Sequence, residues 1–210
     1  MIFFDVLGNI HKEKEDLDSK NIGMKSHTPL AKFIHWSFSI LYAYGIFKQV
    51  GDLSELEDPA LLNFEILFAV AFLVIVFIRY FYMKDTETLL GANIEIRKGH
   101  LFIAKSVHRL VYFTLVMLPL TGLLIAGLFS IDGGGIELAI GLHEFSAFLS
   151  YALIAVHVGA SFYSKLKGEG IWNAMTPVWK EKEKKESKLI TYLEKTEDKV
   201  YETIEKTLRL

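Results

Sequence analysis

Apolar residues fall in four long blocks along the chain, and the charged residues gather between them. A helix that crosses a hydrocarbon core needs about 20 mostly apolar residues, and each block is long enough. The first covers about residues 29–50, "PLAKFIHWSFSILYAYGIFKQV"; Thr28 can cap it, and Pro29 suits a first helical turn. The second covers about 59–83, with Asp58 as its cap. The third covers about 105–129, with a kink expected at Pro119. The fourth covers about 136–166. Short connections favour antiparallel neighbours. The pattern therefore predicts an all-α membrane protein: a four-transmembrane-helix up-down-up-down bundle. The triple glycine at Gly133–Gly135 reads as a turn, because it lacks the lysine and the preceding strand of a phosphate loop.

Three domains are expected. Residues 1–28 form an amphiphilic N-terminal segment, residues 29–177 the transmembrane bundle, and residues 178–210 a highly charged tail. In the tail, Leu189, Leu193, Val200, Ile204 and Leu208 recur at helical spacing, which predicts an amphipathic helix. Such a helix can lie on the membrane or on its own protein, or it can dock a cytoplasmic partner subunit. No signal peptide is expected, since the first apolar block starts behind a charged stretch.

Lysine and arginine set the orientation. The loop after the first block, "GDLSELEDP", is acidic, and the loop between the third and fourth blocks has neither Lys nor Arg. Arg79, Lys84, Arg97, Lys98 and Lys105 surround the connection between the second and third, and the tail is lysine-rich. The chain should be a multi-pass protein of the cytoplasmic (inner) membrane with both termini in the cytoplasm, in contact with lipid. A net charge of −2 gives no reason to expect nucleic acid as a partner. With no cysteine, disulfides, thiolate metal sites and cysteine catalysis are excluded, and any cofactor metal must rest on His, carboxylate or backbone.

Three of the seven histidines, His35, His143 and His157, fall inside predicted spans. A buried imidazole needs partners for its ring nitrogens, and hydrocarbon offers none. At a rise of about 1.5 Å per residue, His35 lies roughly 9 Å into the first helix and His157 roughly 12 Å into the fourth from the same membrane side. Two imidazoles level on facing helices can ligate one haem iron from both sides, an arrangement suited to electron transfer. His143 is about 21 Å from His157 along the fourth helix and within ~40° of the same face, which would put a second metal site near the opposite surface. The rival reading is a cofactor-free transporter or scaffold whose histidines bond between helices.

The stretches "FIHWSF", "VFIRYFY", "HRLVYFTLVMLPLTG" and "LHEFSAFLSYALIAVHVGASFY", the last followed by "GEGIWNAMTP", resemble the bacterial four-helix di-haem cytochrome b family. That family includes superoxide oxidase and the cytochrome b subunits of hydrogenases and formate dehydrogenases. The resemblance covers about residues 31–177. It implies haem b, with His35 and His157 as ligands of the cytoplasmic-side haem and His143 as one ligand of the other. It also implies that His108 lies near a quinone site; Arg109 beside it can hold a haem propionate or polarise a quinone carbonyl. At the position of the family's fourth histidine ligand, fourteen residues before Arg79, this chain has Glu65. Glu65 can ligate iron weakly, hydrogen-bond His143, mark a lost haem, or simply reach water from near the surface. The expectation is an altered outer site, with one robust haem and a second that is weak or absent.

The function expected is electron transfer between a redox partner and the quinone pool, as the membrane subunit of a respiratory complex. The alternative is a stand-alone superoxide:quinone oxidoreductase. A cytoplasmic or membrane redox subunit is the implied partner, and a homo-oligomer is compatible with the sequence. Trp36, Trp172, Trp179, Tyr80 and Tyr82 read as an interfacial aromatic belt. Gly45, Gly122 and Gly159 would admit either a flat porphyrin or a close helix. The orientation predicts that a reporter active only in the periplasm is silent when fused after Leu210 and active when inserted near Ser54. The reverse pattern would move the His35/His157 level to the other surface.

Overall fold

The computed structural model describes residues 26–84, 88–176, 178–181 and 187–210. The expected N-terminal segment lies almost wholly outside the described residues. Helix α1 spans Pro29–Phe47, α2 Pro59–Met83, α3 Lys98–Ser130, α4 Ile136–Lys167, α5 Ile171–Met175 and α6 Lys188–Leu208. A short 3-10 turn, Leu53–Glu57, joins α1 to α2. Among the described residues there is no strand.

The helix starts follow local chemistry where local chemistry is present. Thr28 Oγ1 accepts from the Ala31 N–H at 3.1 Å, and Asp58 Oδ1 accepts from the Ala60 N–H at 2.9 Å, each just ahead of a proline in the first turn. Asp52 and Glu55 form a reciprocal capping box on the 3-10 turn. Helix α3 starts at Lys98, seven residues ahead of its predicted start. Its first-turn Gly99 N–H is satisfied by Glu205 Oε1 at 2.9 Å, a carboxylate 106 residues away. A cap of that kind leaves no mark in the neighbouring sequence. The helix continues through Pro119.

Helices α2, α3 and α4 are each long and apolar enough to cross a membrane. Helix α1 forms as predicted but falls short of them in apolarity. Its 19 residues still reach about 28 Å, close to a hydrocarbon core of about 30 Å. Lys32, His35, Ser39, Tyr42 and Tyr44 dilute its apolar character, and part of that polarity points inward: Tyr42 Oη and Ser150 Oγ lie 2.8 Å apart, both buried. Large apolar side chains such as Phe33, Leu67 and Phe148 are strongly exposed, as lipid-facing residues are.

The chain divides into two compact units. One comprises Thr28–Thr86 and Ile103–Gly159. Its core is Phe38, Tyr42, Phe72, Val76 and Leu115, and rings of Phe64, Phe68 and Phe72 follow one another along α2 at 6.1–6.3 Å. The described part of the other comes from residues 26–27, 88–102 and 160–210. There Gly170, with φ of +85°, sits against the Gly91 carbonyl where no side chain fits.

Helix α6 lies on its own chain. Ile190 is buried, Lys167 Nζ donates to Glu197 Oε2 at 2.8 Å, and Tyr201 stacks on His100 with ring planes 8° apart. Arg97 donates to Glu205 at 2.8 Å. These contacts come from Ile190, Glu197, Tyr201 and Glu205, one helical stripe. Most of the apolar positions singled out in the sequence behave otherwise: Leu189, Leu193, Val200 and Leu208 stay exposed, and Ile204 is half-buried. Polar and aromatic groups make this dock, so apolar periodicity points to a different face.

A Cβ at Gly99 would lie 2.8 Å from the Tyr201 carbonyl oxygen, so α6 approaches there only because the side chain is absent. Gly99→Val should weaken docking by about 1–3 kcal/mol, the usual cost of overpacking. It should be seen as faster proteolysis of residues 188–208. Acid should act in the same direction. Arg97 donates to Glu205 and holds it below the usual carboxylate range. Burial pushes Glu197 up, but donation from Lys167 and Tyr201 leaves it below that range as well. Depressed carboxylates stabilise fully above their unfolded value and lose that contribution as pH falls through the folded one. Protection of α6 should therefore decline below the ordinary glutamate range, and protection unchanged by acid would discount these ion pairs.

Candidate functional site

Two groups of polar side chains lie within the unit built from Thr28–Thr86 and Ile103–Gly159. The first collects around His157 on α4. The His108 ring on α3 meets the His157 ring with centroids 5.1 Å apart and planes at 59°. Arg79, near the end of α2, stands close enough for its charge to be felt at His157. Its guanidinium lies 5.9 Å from both the Phe38 and Tyr112 rings, and its Nη1 is buried with no hydrogen-bond partner among the described residues. His35 sits one turn before Phe38 on α1, half-buried, with Trp36 edge-on at 5.7 Å. Residues three apart share a helix face, so His35 faces the same way as the ring under Arg79. Arg109 is exposed, whereas its neighbour His108 is half-buried. Of the two quinone-site candidates, only His108 joins this cluster.

The second group surrounds a cavity of about 430 Å³ lined by residues of α1 to α4. Its apolar walls include Phe68, Phe72, Leu118 and Ile125, and its polar groups include Lys48, Glu65 and His143. Thr121 Oγ1 donates to the Met117 carbonyl at 2.8 Å, so its lone pair accepts from His143 Nδ1–H at 2.9 Å. That hydrogen-bond network assigns the proton to Nδ1 and leaves Nε2 with a bare lone pair. Glu65 Oε2 is paired with the Lys48 ammonium, and Glu65 Oε1 is buried with no hydrogen-bond partner among the described residues. Glu65 is thus tied to Lys48, and His143 to Thr121. Two glycines keep the walls flat: a Cβ at Gly122 would touch the His143 ring at 3.6 Å, and one at Gly45 would crowd the Phe68 ring at 3.3 Å.

This donor set fits a planar iron macrocycle. The cavity is mostly apolar, glycines line it where a side chain would intrude, and an imidazole nitrogen and a carboxylate oxygen are left as electron-pair donors. Among the described residues, no three His, Asp or Glu side chains cluster as they would around a bare metal ion. One or two protein ligands suffice when a macrocycle supplies the rest.

Three residues of these groups were not among the sequence-predicted site residues. Arg79 carries a weak signal, as a lone arginine inside "VFIRYFY". Lys48 reads as an end-of-helix lysine and Thr121 as a small residue after Pro119, and nothing local marks either. The family model of prokaryotic cytochrome b561 matches residues 26–178 of the chain. No curated protein and no solved structure matches it.

Proposed function

The chain belongs to the prokaryotic cytochrome b561 family, and from that premise we propose that it carries electrons between a redox partner and the quinone pool, as a membrane subunit of a respiratory complex. The family makes it a multi-pass membrane b-type cytochrome with haem b as cofactor. The observation that carries the finer reading is the contact of the His108 and His157 rings beside Arg79. It brings a residue expected to ligate haem against one expected at a quinone site.

In this reading His35 and His157 hold the haem iron through neutral imidazole nitrogens. The bound haem supplies one-electron redox chemistry. Arg79 offers a buried N–H and a positive charge to a haem propionate or a quinone oxygen, charge-assisted and away from water. His108 exchanges a proton with the quinone, whose full reduction takes two electrons and two protons. Arg109 remains at the rim, where it attracts anionic groups. The membrane is the cytoplasmic one, with both termini inside. One observation favours the second reading, a stand-alone superoxide:quinone oxidoreductase. Helix α6 spends its docking stripe on its own chain, so the tail does not require a partner subunit. A heterologous subunit that co-purifies in mild detergent supports the first reading, and its absence together with superoxide-driven quinone reduction supports the second.

His35→Ala and His157→Ala should each remove one six-coordinate haem, read as loss of the low-spin b-type band and of about one haem per chain. Full haem content with an unchanged band in either variant would break the pairing. His108→Gln should slow electron exchange with quinone by about 10²-fold, within the range for a lost proton-transfer group. Haem content and spectrum should stay near wild type. Loss of haem without a separate quinone effect would make His108 structural or ligating.

A further inference from the structure

The two donors of the 430 Å³ cavity share one feature. In each, a neighbour holds one polar atom, which makes the other the electron-pair donor of the side chain. Thr121 takes His143 Nδ1–H and leaves Nε2; Lys48 takes Glu65 Oε2 and leaves Oε1 buried and without a hydrogen-bond partner among the described residues. Lys48 is itself held: its Nζ stands 4.3 Å from the Phe68 ring centroid and 5.5 Å from that of Phe64, and its backbone N–H closes α1 on the Tyr44 carbonyl at 3.0 Å. Thr121 is fixed by its bond to the Met117 carbonyl.

We propose that Lys48 and Thr121 are positioning residues for a second haem-iron site that His143 and the Glu65 carboxylate would hold. The inference rests on the b-type cytochrome reading above and adds the ligand set of this site. Its chemistry selects the occupant. Two electron-pair donors lining one cavity suit a Lewis acid. The Lys48 charge offsets that of Glu65 in an apolar wall, where an unpaired charge is costly. A carboxylate is a harder and weaker-field ligand than imidazole. The His143/Glu65 iron is therefore high-spin in the ferric state, in contrast to a low-spin His35/His157 iron.

The test uses the full chain, purified in detergent, with haem-to-protein ratio and ferric EPR as readouts. Wild type should hold about two haems per chain, one low-spin and one high-spin. Glu65→Gln, Lys48→Met and Thr121→Val should each reduce or shift the high-spin signal severalfold while the low-spin signal, which reports folding, stays constant. Lys48→Arg should keep both signals. Glu65→His should turn the high-spin signal low-spin with two haems retained. His35→Ala should do the opposite of Glu65→Gln, removing the low-spin signal and leaving the high-spin one. One low-spin haem per chain and no high-spin signal would overturn this inference and leave the His35/His157 reading standing. A high-spin signal indifferent to Glu65→Gln and Lys48→Met would overturn it too, leaving that ion pair as a clamp between α1 and α2. A protein without haem in any form would overturn both readings.

Discussion

Hydrocarbon leaves no polar group unsatisfied without cost, and this constraint organises the unit that holds the candidate sites. Each of its four long helices carries a polar group at two heights: His35 on α1 and Lys48 at its C-terminal cap, Glu65 and Arg79 on α2, His108 and Thr121 on α3, His143 and His157 on α4. On every helix the separation is thirteen or fourteen residues, about 20 Å at a helical rise. Between the two heights lie Phe38, Tyr42, Phe72, Val76 and Leu115, the buried core. Tyr42 meets its polar need there with Ser150 Oγ, which in turn donates to the Ala147 carbonyl. An apolar middle with two polar tiers gives the tiers separate environments.

Much of this was legible in the sequence, and the reason differs from residue to residue. Helix α2 follows its predicted bounds because Asp58 and Pro59 start it and an unbroken apolar run fills it. His35, His143 and His157 stood out because imidazoles are expensive in an apolar block. The start of α3 was not legible, since its cap is Glu205, far along the chain. Nor was the docking face of α6. Periodicity of Leu and Val describes an apolar stripe, but the contacts were made by Glu197, Tyr201 and Glu205. Short-range rules read capping and burial; ion pairs between distant segments lie beyond them.

The same limit applies to the second tier. From sequence, Glu65 read as an irregularity where a ligand histidine was expected, with hydrogen bonding to His143 among its alternatives. The structure gives each residue a different first partner, Lys48 for Glu65 and Thr121 for His143. Both partners are ordinary residues at unremarkable positions, so no composition or spacing argument selects them. Their importance comes from the tautomer that Thr121 assigns to His143 and the counter-charge that Lys48 brings to Glu65, which only a contact network reveals.

The pairing of Lys48 with Glu65 also bears on how a carboxylate can replace an imidazole in such a place. A neutral ligand exchanged for an anion would leave a net charge in the apolar wall, at a cost of several kcal/mol. A lysine at the end of α1, able to lay its stem along Phe64 and Phe68 and bring its ammonium to the carboxylate, removes most of that cost. The two residues then form one unit. Either one alone is a half-buried charge without that counter-ion, so effects of changing them singly should exceed the effect of changing both together. A histidine at position 65 would have no such need of Lys48. The identity of residue 48 is thus tied to that of residue 65 by electrostatics, whatever the cavity between them holds.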